Sequence, residues 1–491
     1  MSSIIENDEI IITNPITLKE INRIQCSKPS EILEIINRSN NYETWRSLTL
    51  KKRCLLINTF RKAIVKNQSK IKEVLKSETG KKDFDTFIEL FSLVEHLKEI
   101  SKIAKKSLKP SYRSAGIMKN KKAYVLYEPL GIAGIISPWN YPLATPITST
   151  VQALLAGNNV VLKPSEHTPL TAIYLKELWD TYVGYNEAFN IVMGGGDAGK
   201  TIVDCENIDI ICFTGSTAVG KSIAEKCSKT LKPVILELGG KDPMIVLKDA
   251  NIKRSIESAL FAGYSNAGQT CISVEEIFVE KEIFNTYVEL ISGKVKALSS
   301  GNDASMQIGP MIMTENCNKV KEHIEEIRNQ EKIIKGSSIE HSMYIAPTLI
   351  IEPPLDARVV NEETFGPVIS LRSFDSEAGL LEMVHKTGYG LAGSIFGSNI
   401  KRVKRILSTL KIGNVSINDV FSHYGIASLP FGGEGLSGFG RLHGKEGLRS
   451  LCRIKSVVEN RFNFLPDPWW FSTSKRFEGL LHRFLKFYYK I

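Results

Sequence analysis

The sequence lacks the features that define several large classes of protein. Its eight cysteines include no C-x-x-C pair and have no histidine cluster beside them, so we expect no metal site. The opening MSSIIENDEIIITNP has no basic region leading into an apolar one, which predicts no secretory signal. No apolar run approaches the roughly 18 residues of a membrane-spanning helix. These absences favour a reduced, cytoplasmic protein.

The composition is that of an ordinary globular protein. The 491 residues are 43% hydrophobic and 24% charged. At roughly 100–200 residues per domain, this length predicts about two to four domains. The net charge of +10 is small for so long a chain, so nucleic acid is not an expected partner.

Local patterns predict alternating strands and helices. The first hundred residues have mostly helical spacing of their apolar residues. Short apolar runs then alternate with helical stretches, one of them at about residues 168–183, and the runs include NNVVLKPS, AFNIVMGG, DIICFTGS and PVILELGG. The pattern restarts after Gly240 with PMIVL. It predicts two α/β units with parallel sheets, whose ligands lie at the carboxyl ends of the strands.

One stretch, FTGSTAVGKS, fits the phosphate-binding loop of ATPases and GTPases. The pattern G-x-x-x-x-G-K-[ST] is matched by Gly215, Gly220, Lys221 and Ser222, after a predicted strand and before a predicted helix. Such an enzyme also needs an acidic metal ligand on a neighbouring strand, and Glu237 at the end of VILE is a candidate. From these residues alone, an NTPase remains an open hypothesis.

Four other stretches carry residue types suited to covalent catalysis. SPWNYP places Asn140 in a turn after an apolar strand, and ELGGK places Glu237 at the end of another. NAGQTCIS places Cys271 in a small polar turn or helix start, where we expect donors and a helix dipole to lower the pKa of the thiol. EETFGP places Glu363 and Phe365 before a turn. A thiol nucleophile, an amide donor and a carboxylate base form a catalytic set.

Taken together, seven stretches resemble the NAD(P)-dependent aldehyde dehydrogenase superfamily in order and spacing, over roughly residues 15 to 460. They are PLGIAGIISPWNYP, NVVLKPSEHTP, FTGSTAVGK, LELGGKDP, NAGQTC, EETFGPV and PFGGEGLSGFGR. The resemblance implies an α/β aldehyde dehydrogenase fold with a Rossmann-like dinucleotide-binding domain, a catalytic α/β domain and a small oligomerisation arm. An NTPase would leave the other six stretches unexplained.

The resemblance also implies a mechanism. Cys271 is expected to attack an aldehyde, giving a thiohemiacetal and then a thioester, while Asn140 and the backbone N–H of Cys271 hold the oxyanion. Glu237 is expected to activate the water that releases a carboxylic acid, and its presence favours hydrolysis over transfer to coenzyme A. The family often has arginine five residues after the nucleophile, where this chain has Glu276. That difference puts local packing in doubt, not the chemistry.

The cofactor implied by the resemblance is NAD, with NADP left open because Lys163 tolerates a 2′-phosphate. Lys163 and Glu166 match positions that hold the adenosine ribose, and Gly215 and Ser216 match positions near the pyrophosphate. The full set of expected cofactor-binding residues is Ser137, Trp139, Lys163, Ser165, Glu166, Gly215, Ser216, Glu363 and Phe365.

We expect domain boundaries that follow the same pattern. Residues 1–112 and 130–239 are assigned to the dinucleotide-binding domain, 240–434 to the catalytic domain, and 113–129 with 450–461 to the oligomerisation arm. The family's arm pairs subunits, so a homodimer or homotetramer is expected.

Residues 465–491 form a basic amphipathic tail that the family does not require. Its sequence LPDPWWFSTSKRFEGLLHRFLKFYYKI predicts a helix from Lys475 with one apolar face, formed by Phe477, Leu480, Leu481, Phe484, Leu485 and Tyr488. Such a helix either lies on an anionic membrane or packs on the enzyme or across a dimer. If it touches membrane, a medium- or long-chain or aromatic aldehyde is the expected substrate. A catalytically inactive membrane-associated scaffold is the competing class.

Overall fold

The computed structural model describes residues 3–329, 332–462, 464, 467, 469–471 and 474–490. The chain divides into two compact units. The first comprises Met1–Leu108 with Glu128–Arg453, and the second comprises Lys109–Tyr127 with Ile454–Ile491.

The described residues form strands that we number along the chain. They are β1 (Ser3–Glu6), β2 (Glu9–Thr13), β3 (Glu20–Gln25), β4 (Ser111–Arg113), β5 (Lys121–Pro129), β6 (Ile132–Ile136), β7 (Asn159–Lys163), β8 (Phe189–Ile191), β9 (Ile210–Thr214), β10 (Val234–Glu237), β11 (Asp242–Val246), β12 (Val274–Glu280), β13 (Ser299–Ser300), β14 (Lys332–Lys335), β15 (Ser337–Ser338), β16 (Thr348–Ile351), β17 (Val368–Phe374), β18 (Ala392–Phe396), β19 (Asn414–Ile417), β20 (Gly438–Phe439) and β21 (Cys452–Asn460).

The helices are numbered in the same way. They are α1 (Pro29–Asn41), α2 (Glu43–Ser47), α3 (Leu50–Lys66), α4 (Gln68–Thr79), α5 (Asp83–Ser107), α6 (Ala144–Ala156), α7 (Leu170–Tyr182), α8 (Gly196–Asp204), α9 (Thr217–Ser228), α10 (Ile252–Tyr264), α11 (Lys281–Lys296), α12 (Thr314–Glu326), α13 (Arg358–Asn361), α14 (Glu377–His385), α15 (Ile400–Leu407), α16 (Ser422–Gly425), α17 (Gly444–Ser450) and α18 (Lys475–Tyr489).

The first unit contains a six-stranded sheet in the order β20-β10-β9-β6-β7-β8. All neighbours are parallel except β20, which runs antiparallel to β10. The central strands β6 and β7 are buried along their whole length, as expected for a parallel sheet covered by helices on both faces. The predicted strand–helix alternation is therefore confirmed.

A seven-stranded sheet in the same unit has the order β14-β16-β17-β12-β11-β18-β19. It is parallel apart from β14, which pairs antiparallel with β16. The chain passes from one sheet to the other through residues 238–241, because β10 belongs to the first sheet and β11 to the second. Glu237 therefore lies at the crossing between the sheets.

The prediction that the first hundred residues are mostly helical is confirmed, since α1 to α5 occupy most of residues 29–107. The described residues before these helices, 3–25, instead form an antiparallel sheet in the order β1-β2-β3, which was not predicted. In β2 every second residue is buried, with Ile10 and Ile12 packed against Met193. This period of two favours a strand, and β-branched isoleucine fits a pleated sheet.

The second unit contains a small sheet in the order β21-β5-β4 and the helix α18. Lys121 on β5 forms a buried ion pair with Asp467, whose carboxylate lies 2.7 Å from the lysine Nζ. The predicted helix from Lys475 is present, capped by the Ser474 side chain, and none of its described side chains is buried. Residues 465, 466, 468, 472, 473 and 491 of the predicted tail lie outside the described residues.

None of the helices in the described part of the chain combines the length and apolar character needed to cross a membrane.

Candidate active site

Four of the expected site segments follow neighbouring parallel strands of the six-stranded sheet. Asn140 follows β6, Lys163 ends β7, Ser216 follows β9 and Glu237 ends β10. Because these strands are adjacent and parallel, their carboxyl ends meet at one edge of the sheet. The fold therefore gathers residues that are far apart in sequence.

A cavity of about 510 Å³ opens at this edge and collects most of the expected residues. Its lining includes Asn140, Glu237, Cys271, Trp139, Gly215, Ser216, Glu363 and Phe365. The remaining expected residues, Ser137, Lys163, Ser165 and Glu166, are not part of the lining. A volume of this size is typical of small-molecule sites.

The turn that presents Cys271 is held in an unusual backbone conformation. After α10, Asn266 and Ala267 adopt left-handed φ angles of 51° and 55°. Non-glycine residues rarely adopt this conformation, which costs on the order of 1–2 kcal/mol for each. Gln269 braces the turn, since its side chain donates to the Asn266 carbonyl at 2.9 Å and accepts from the backbone N–H of Ile312 at 2.8 Å.

The thiol of Cys271 corrects the expectation of a lowered pKa. Burial raises the pKa of this thiol, and the carboxyl groups of Asp242, Glu363 and Glu237 raise it further. Cys271 follows a 3₁₀ turn and precedes strand β12, so it gains no dipole from a helix of its own. The side chain nevertheless stays only half-buried, because it lines the cavity.

The amide of Asn140 is locked to the loop that carries Cys271. Its Nδ2 donates to the backbone carbonyl of Gln269 at 2.9 Å, and Asn266 donates to the Asn140 carbonyl at 3.2 Å. An amide nitrogen carries two hydrogens, so Asn140 keeps a second N–H for a ligand in the cavity that it lines.

Glu237 is a buried carboxylate whose two oxygens have no hydrogen-bond partner in the described structure. Burial raises its pKa well above the usual range, and Arg441 only partly opposes this. A group that is buried, unpartnered and shifted in pKa is costly to keep, and such groups concentrate at functional sites. The geometry suits a base that accepts a proton from water.

Glu363 and Phe365 lie on a turn fixed by a buried ion pair. Lys241 contacts Glu275 at 2.5 Å, and Glu275 accepts the backbone N–H of Phe365 at 2.9 Å. The Phe365 ring meets the Trp139 ring edge-on with centroids 5.5 Å apart. Glu363 accepts the Gly240 N–H at 3.0 Å, and burial with the nearby Glu275 raises the pKa of Glu363 to about 7.

Glu276, which replaces the family's usual arginine, is buried on β12 and does not line the cavity. Burial raises the pKa of Glu276 to about 7, while Lys241 and Arg372 lower it.

At the end of β7, Lys163 and Glu166 form an ion pair with Nζ and Oε2 3.0 Å apart. Ser137 donates its backbone N–H to the Lys163 carbonyl at 3.1 Å, and the Ser165 hydroxyl accepts the N–H of His167 at 3.3 Å. Ser137 and Ser165 therefore shape this segment through local hydrogen bonds.

The structure does not form the phosphate-binding loop of an NTPase. Only Gly215 and Ser216 separate β9 from α9, and Gly220 lies inside the helix, where a Cβ would collide with Leu238. Lys221 and Ser222 are exposed in the second turn of the helix. The match to that pattern is therefore a coincidence of spacing.

A dinucleotide fits the same residues. The N–H of Gly215 is already donated to the Glu237 carbonyl at 3.1 Å, and that of Val219 to the Ser216 hydroxyl at 3.4 Å. The N–H groups of Thr217 and Ala218 have no carbonyl one turn earlier in the helix and favour a pyrophosphate. A Cβ at Gly239 would lie 2.7 Å from the Glu363 carboxyl carbon, which is too close. Glycine at this position therefore leaves room for the Glu363 side chain beside the cavity. A carboxylate such as Glu166 suits a ribose hydroxyl.

Sequence reasoning missed several residues of the site. Glu89 on α5 lines the cavity, pairs with Lys81 at 2.5 Å and accepts the N–H groups of Leu143 and Ala144 at the start of α6. The signal in the sequence was a charged residue, Glu89, among the buried positions of an amphipathic helix. Tyr141 belongs to the SPWNYP stretch but was not predicted as a site residue, and its hydroxyl oxygen lies 2.9 Å from that of Thr270.

Two histidines lie near the cavity. His423, in the NDVFSHYGIASLP loop, lies behind the lining and stacks on Phe431 with centroids 6.2 Å apart. His443 lines the cavity instead, and burial holds its pKa well below the usual range, with His96 and His423 adding to the effect. Across the described residues, no group of three or more acidic, histidine or cysteine side chains is arranged to hold a metal ion.

The sequence profile of the aldehyde dehydrogenase family matches residues 4–457 of this chain. The chain belongs to the aldehyde dehydrogenase family. It is thus an oxidoreductase of the class that acts on aldehyde groups, and α18 lies beyond the matched region.

Individual relatives agree with the family assignment. The 4,4'-diapolycopene aldehyde oxidase of Methylomonas sp is 30% identical over 96% of this chain and 90% of its own length. Glutarate-semialdehyde dehydrogenase of Pseudomonas putida is 31% identical over 91% of this chain and 93% of its own. A crystal structure of betaine aldehyde dehydrogenase from Staphylococcus aureus in complex with NAD+ has a TM-score of 0.87 and 28% identity, covering 94% of each chain.

Proposed function

We propose that the protein oxidises an apolar aldehyde to a carboxylic acid through a thioester on Cys271, with NAD as hydride acceptor. The observation that carries this proposal is the meeting of Cys271, Asn140 and the unpartnered Glu237 in one cavity. Bound NAD supplies the acceptor for the hydride. The Staphylococcus aureus relative, whose structure contains NAD+, supports this cofactor, and Lys163 leaves NADP as an alternative.

Each catalytic residue has one task. The Cys271 thiol loses its proton to solvent as its sulfur adds to the aldehyde carbon, and the second N–H of Asn140 with the Cys271 backbone N–H holds the oxygen. That carbon then loses a hydride to the bound NAD, which leaves a thioester on Cys271. Glu237 takes a proton from water, whose oxygen adds to the thioester, and the acid leaves as the thiol is restored.

The lining of the cavity favours an apolar substrate over one with a second carboxylate. Its large side chains are mostly apolar, among them Ile88, Phe261 and Leu391. Of the charged side chains in the described lining, three are acidic and only Lys319 is a lysine or arginine, and Lys319 already donates to the Glu363 carbonyl at 2.6 Å. The single lysine of the described lining is therefore outnumbered by acidic groups, which disfavours the carboxylate of a semialdehyde acid. The name of the Methylomonas relative, an aldehyde oxidase of 4,4'-diapolycopene, also supports a long apolar aldehyde.

The direct test is NADH formation from NAD with matched aldehydes. We expect kcat/KM to rise with chain length for straight-chain apolar aldehydes and to fall about tenfold or more when a terminal carboxylate is added, because an unpaired charge would enter an apolar cavity. A higher kcat/KM for an aldehyde with a carboxylate, or for one with a quaternary ammonium group, than for an apolar aldehyde would contradict the proposed substrate class. The inactive scaffold predicts no NADH with any aldehyde.

Replacing Asn140 by alanine should lower kcat on the order of 10²–10³-fold, because one of two oxyanion donors is lost. The variant Asn140→Asp is the matched control, since it keeps the size but replaces the donor by an acceptor. Both should bind NAD as the wild type does in a fluorescence titration. Activity of Asn140→Ala within threefold of the wild type would remove Asn140 from the oxyanion site.

We also propose that the domains follow the two sheets. Residues 1–112 and 130–239 build most of the six-stranded sheet and would bind the dinucleotide, while 240–434 contain the seven-stranded sheet and Cys271. Residues 113–129 and 450–461 contain β5 and β21, which would form the arm. The edge strand β21 exposes Ile454 and Val458, which supports pairing of subunits into a homodimer or homotetramer.

For the tail, we propose peripheral contact with an anionic membrane through α18. Its apolar side chains are all exposed, and its four lysine and arginine residues, with Lys490 directly after it, outnumber the single acidic Glu478. A helix with aromatic and aliphatic residues on one face and lysine and arginine around it is typical of an interfacial helix. The basic residues are Lys475, Arg476, Arg483, Lys486 and Lys490.

Truncation before Lys475 should release the protein from phosphatidylglycerol vesicles and leave the oxidation of short aldehydes unchanged. The truncation keeps Asp467 and so preserves its ion pair with Lys121. Sedimentation with vesicles measures the binding, and Arg483→Glu with Lys486→Glu is the charge-reversed control, expected to weaken binding about tenfold or more. If the truncated chain sediments as well as the full chain, α18 does not hold the protein on membrane.

A further inference from the structure

The exposed face of α5 carries three aromatic side chains in a row. Phe84, Phe87 and Phe91 are each about half exposed, and the rings of Phe87 and Phe91 stack with centroids 6.0 Å apart. Their spacing places them on one side of the helix. Clustered exposed aromatics on a protein surface usually mark a place where something binds.

The same helix lines the active-site cavity. Ile88, Glu89 and Ser92 contribute to the lining, and Ile88 lies four residues after Phe84 and three before Phe91. Residues three and four apart on a helix are neighbours, so the aromatic row adjoins Ile88 at the edge of the cavity. The apolar surface therefore continues from the cavity onto the outside of the helix.

The aromatic row ends where α5 leaves the cavity. One turn beyond Phe91 the exposed face becomes charged, with Lys98 contacting Glu95 at 2.8 Å and Lys102 contacting Glu99 at 2.5 Å. An ion-paired face is the ordinary solvent-facing surface of a helix. The aromatic residues are thus confined to the part of α5 beside the cavity.

Apolar residues also flank the cavity on other elements. Phe261 on α10 lines the cavity, is partly exposed, and packs edge-on against Phe421 with centroids 5.7 Å apart. Gly425 lines the cavity as well, and the next residue, Ile426, is exposed. We call Phe84, Phe87, Phe91, Phe261 and Ile426 the apolar rim, whose exposed fractions lie between 41% and 60%.

We propose that the apolar rim binds the distal hydrocarbon of a long-chain aldehyde whose carbonyl group reaches Cys271. This inference rests on the proposed oxidation of an apolar aldehyde and names a second binding region, which begins at the edge of the cavity with Phe261 and continues onto α5. Continuity with the cavity favours the substrate as the occupant. A short aldehyde ends inside the cavity and does not reach the rim.

The test compares butanal with decanal in Phe87→Gln/Phe91→Gln, because glutamine keeps the helix while removing the apolar surface. We expect KM for decanal to rise about tenfold, since up to two aromatic contacts are lost. For butanal, kcat and KM should both stay within twofold of the wild-type values. The matched control is Leu290→Gln, which changes an exposed leucine on α11 that does not line the cavity. It should leave KM unchanged for both decanal and butanal.

Three results would contradict the binding of a long-chain aldehyde at the apolar rim. One is an unchanged KM for decanal in the double variant. Another is an equal loss for butanal and decanal, which indicates a structural effect. The third is a change in molar mass by light scattering, which shows that the rim is a contact between copies of the chain. Failure of the proposed function is distinguishable, because wild-type protein would then oxidise neither aldehyde.

Discussion

Cys271→Ala is expected to lose aldehyde oxidation altogether, with kcat below about 10⁻⁴ of the wild-type value, as when other catalytic nucleophiles are removed. The reason is chemical, since alanine offers no electron pair to the carbonyl carbon. NADH absorbance with an apolar aldehyde measures the loss. The binding of NAD should persist, because the expected cofactor-binding residues are unchanged.

Cys205→Ala is the matched control for this variant. Cys205 is also a free, half-buried thiol, but it follows α8 and does not line the cavity. We expect its removal to leave kcat within twofold. Retained oxidation in Cys271→Ala, or equal losses in the two variants, would remove Cys271 as the nucleophile.

Glu237→Gln is expected to separate the two halves of the reaction. Glutamine has nearly the same shape but cannot accept a proton from water, so release of the thioester should slow by roughly 10²–10⁴-fold. The first turnover does not need that water. Rapid mixing should therefore show a burst of one NADH per site, followed by a much slower steady rate.

The pH dependence of this step follows from the raised pKa of Glu237. Because burial raises the pKa of Glu237, its acid form persists at higher pH than usual, and the fraction of base form increases as the pH rises above the ordinary glutamate range. The wild-type steady rate should rise with it, and the Glu237→Gln steady rate should stay flat. A flat wild-type profile, or loss of the burst in the variant, would assign the base to another group.

Much of the site was predictable because its residues sit beside strongly patterned segments. Asn140, Lys163, Ser216 and Glu237 each follow an apolar run that could only be a buried parallel strand, and such strands deliver their ends to one edge. The family resemblance then supplied roles that spacing alone does not give.

Other features depend on tertiary surroundings that no local pattern encodes. The raised pKa of the Cys271 thiol comes from burial and from carboxyl groups on three other segments, so the local motif gave the wrong direction. The strands of residues 3–25 were missed because the helical spacing of later residues was extended to them. The exposed aromatics of α5 have helical spacing too, and only the structure places them beside the cavity.

The account depends most on a covalent acyl intermediate at one cysteine. Glu237→Gln protein mixed with NAD and decanal, quenched in acid and digested, tests it by peptide mass spectrometry. We predict one decanoyl group, carried by the peptide that contains Cys271. NADH formation without an acyl group on that peptide, or with the group on another of the eight cysteines, would contradict the mechanism.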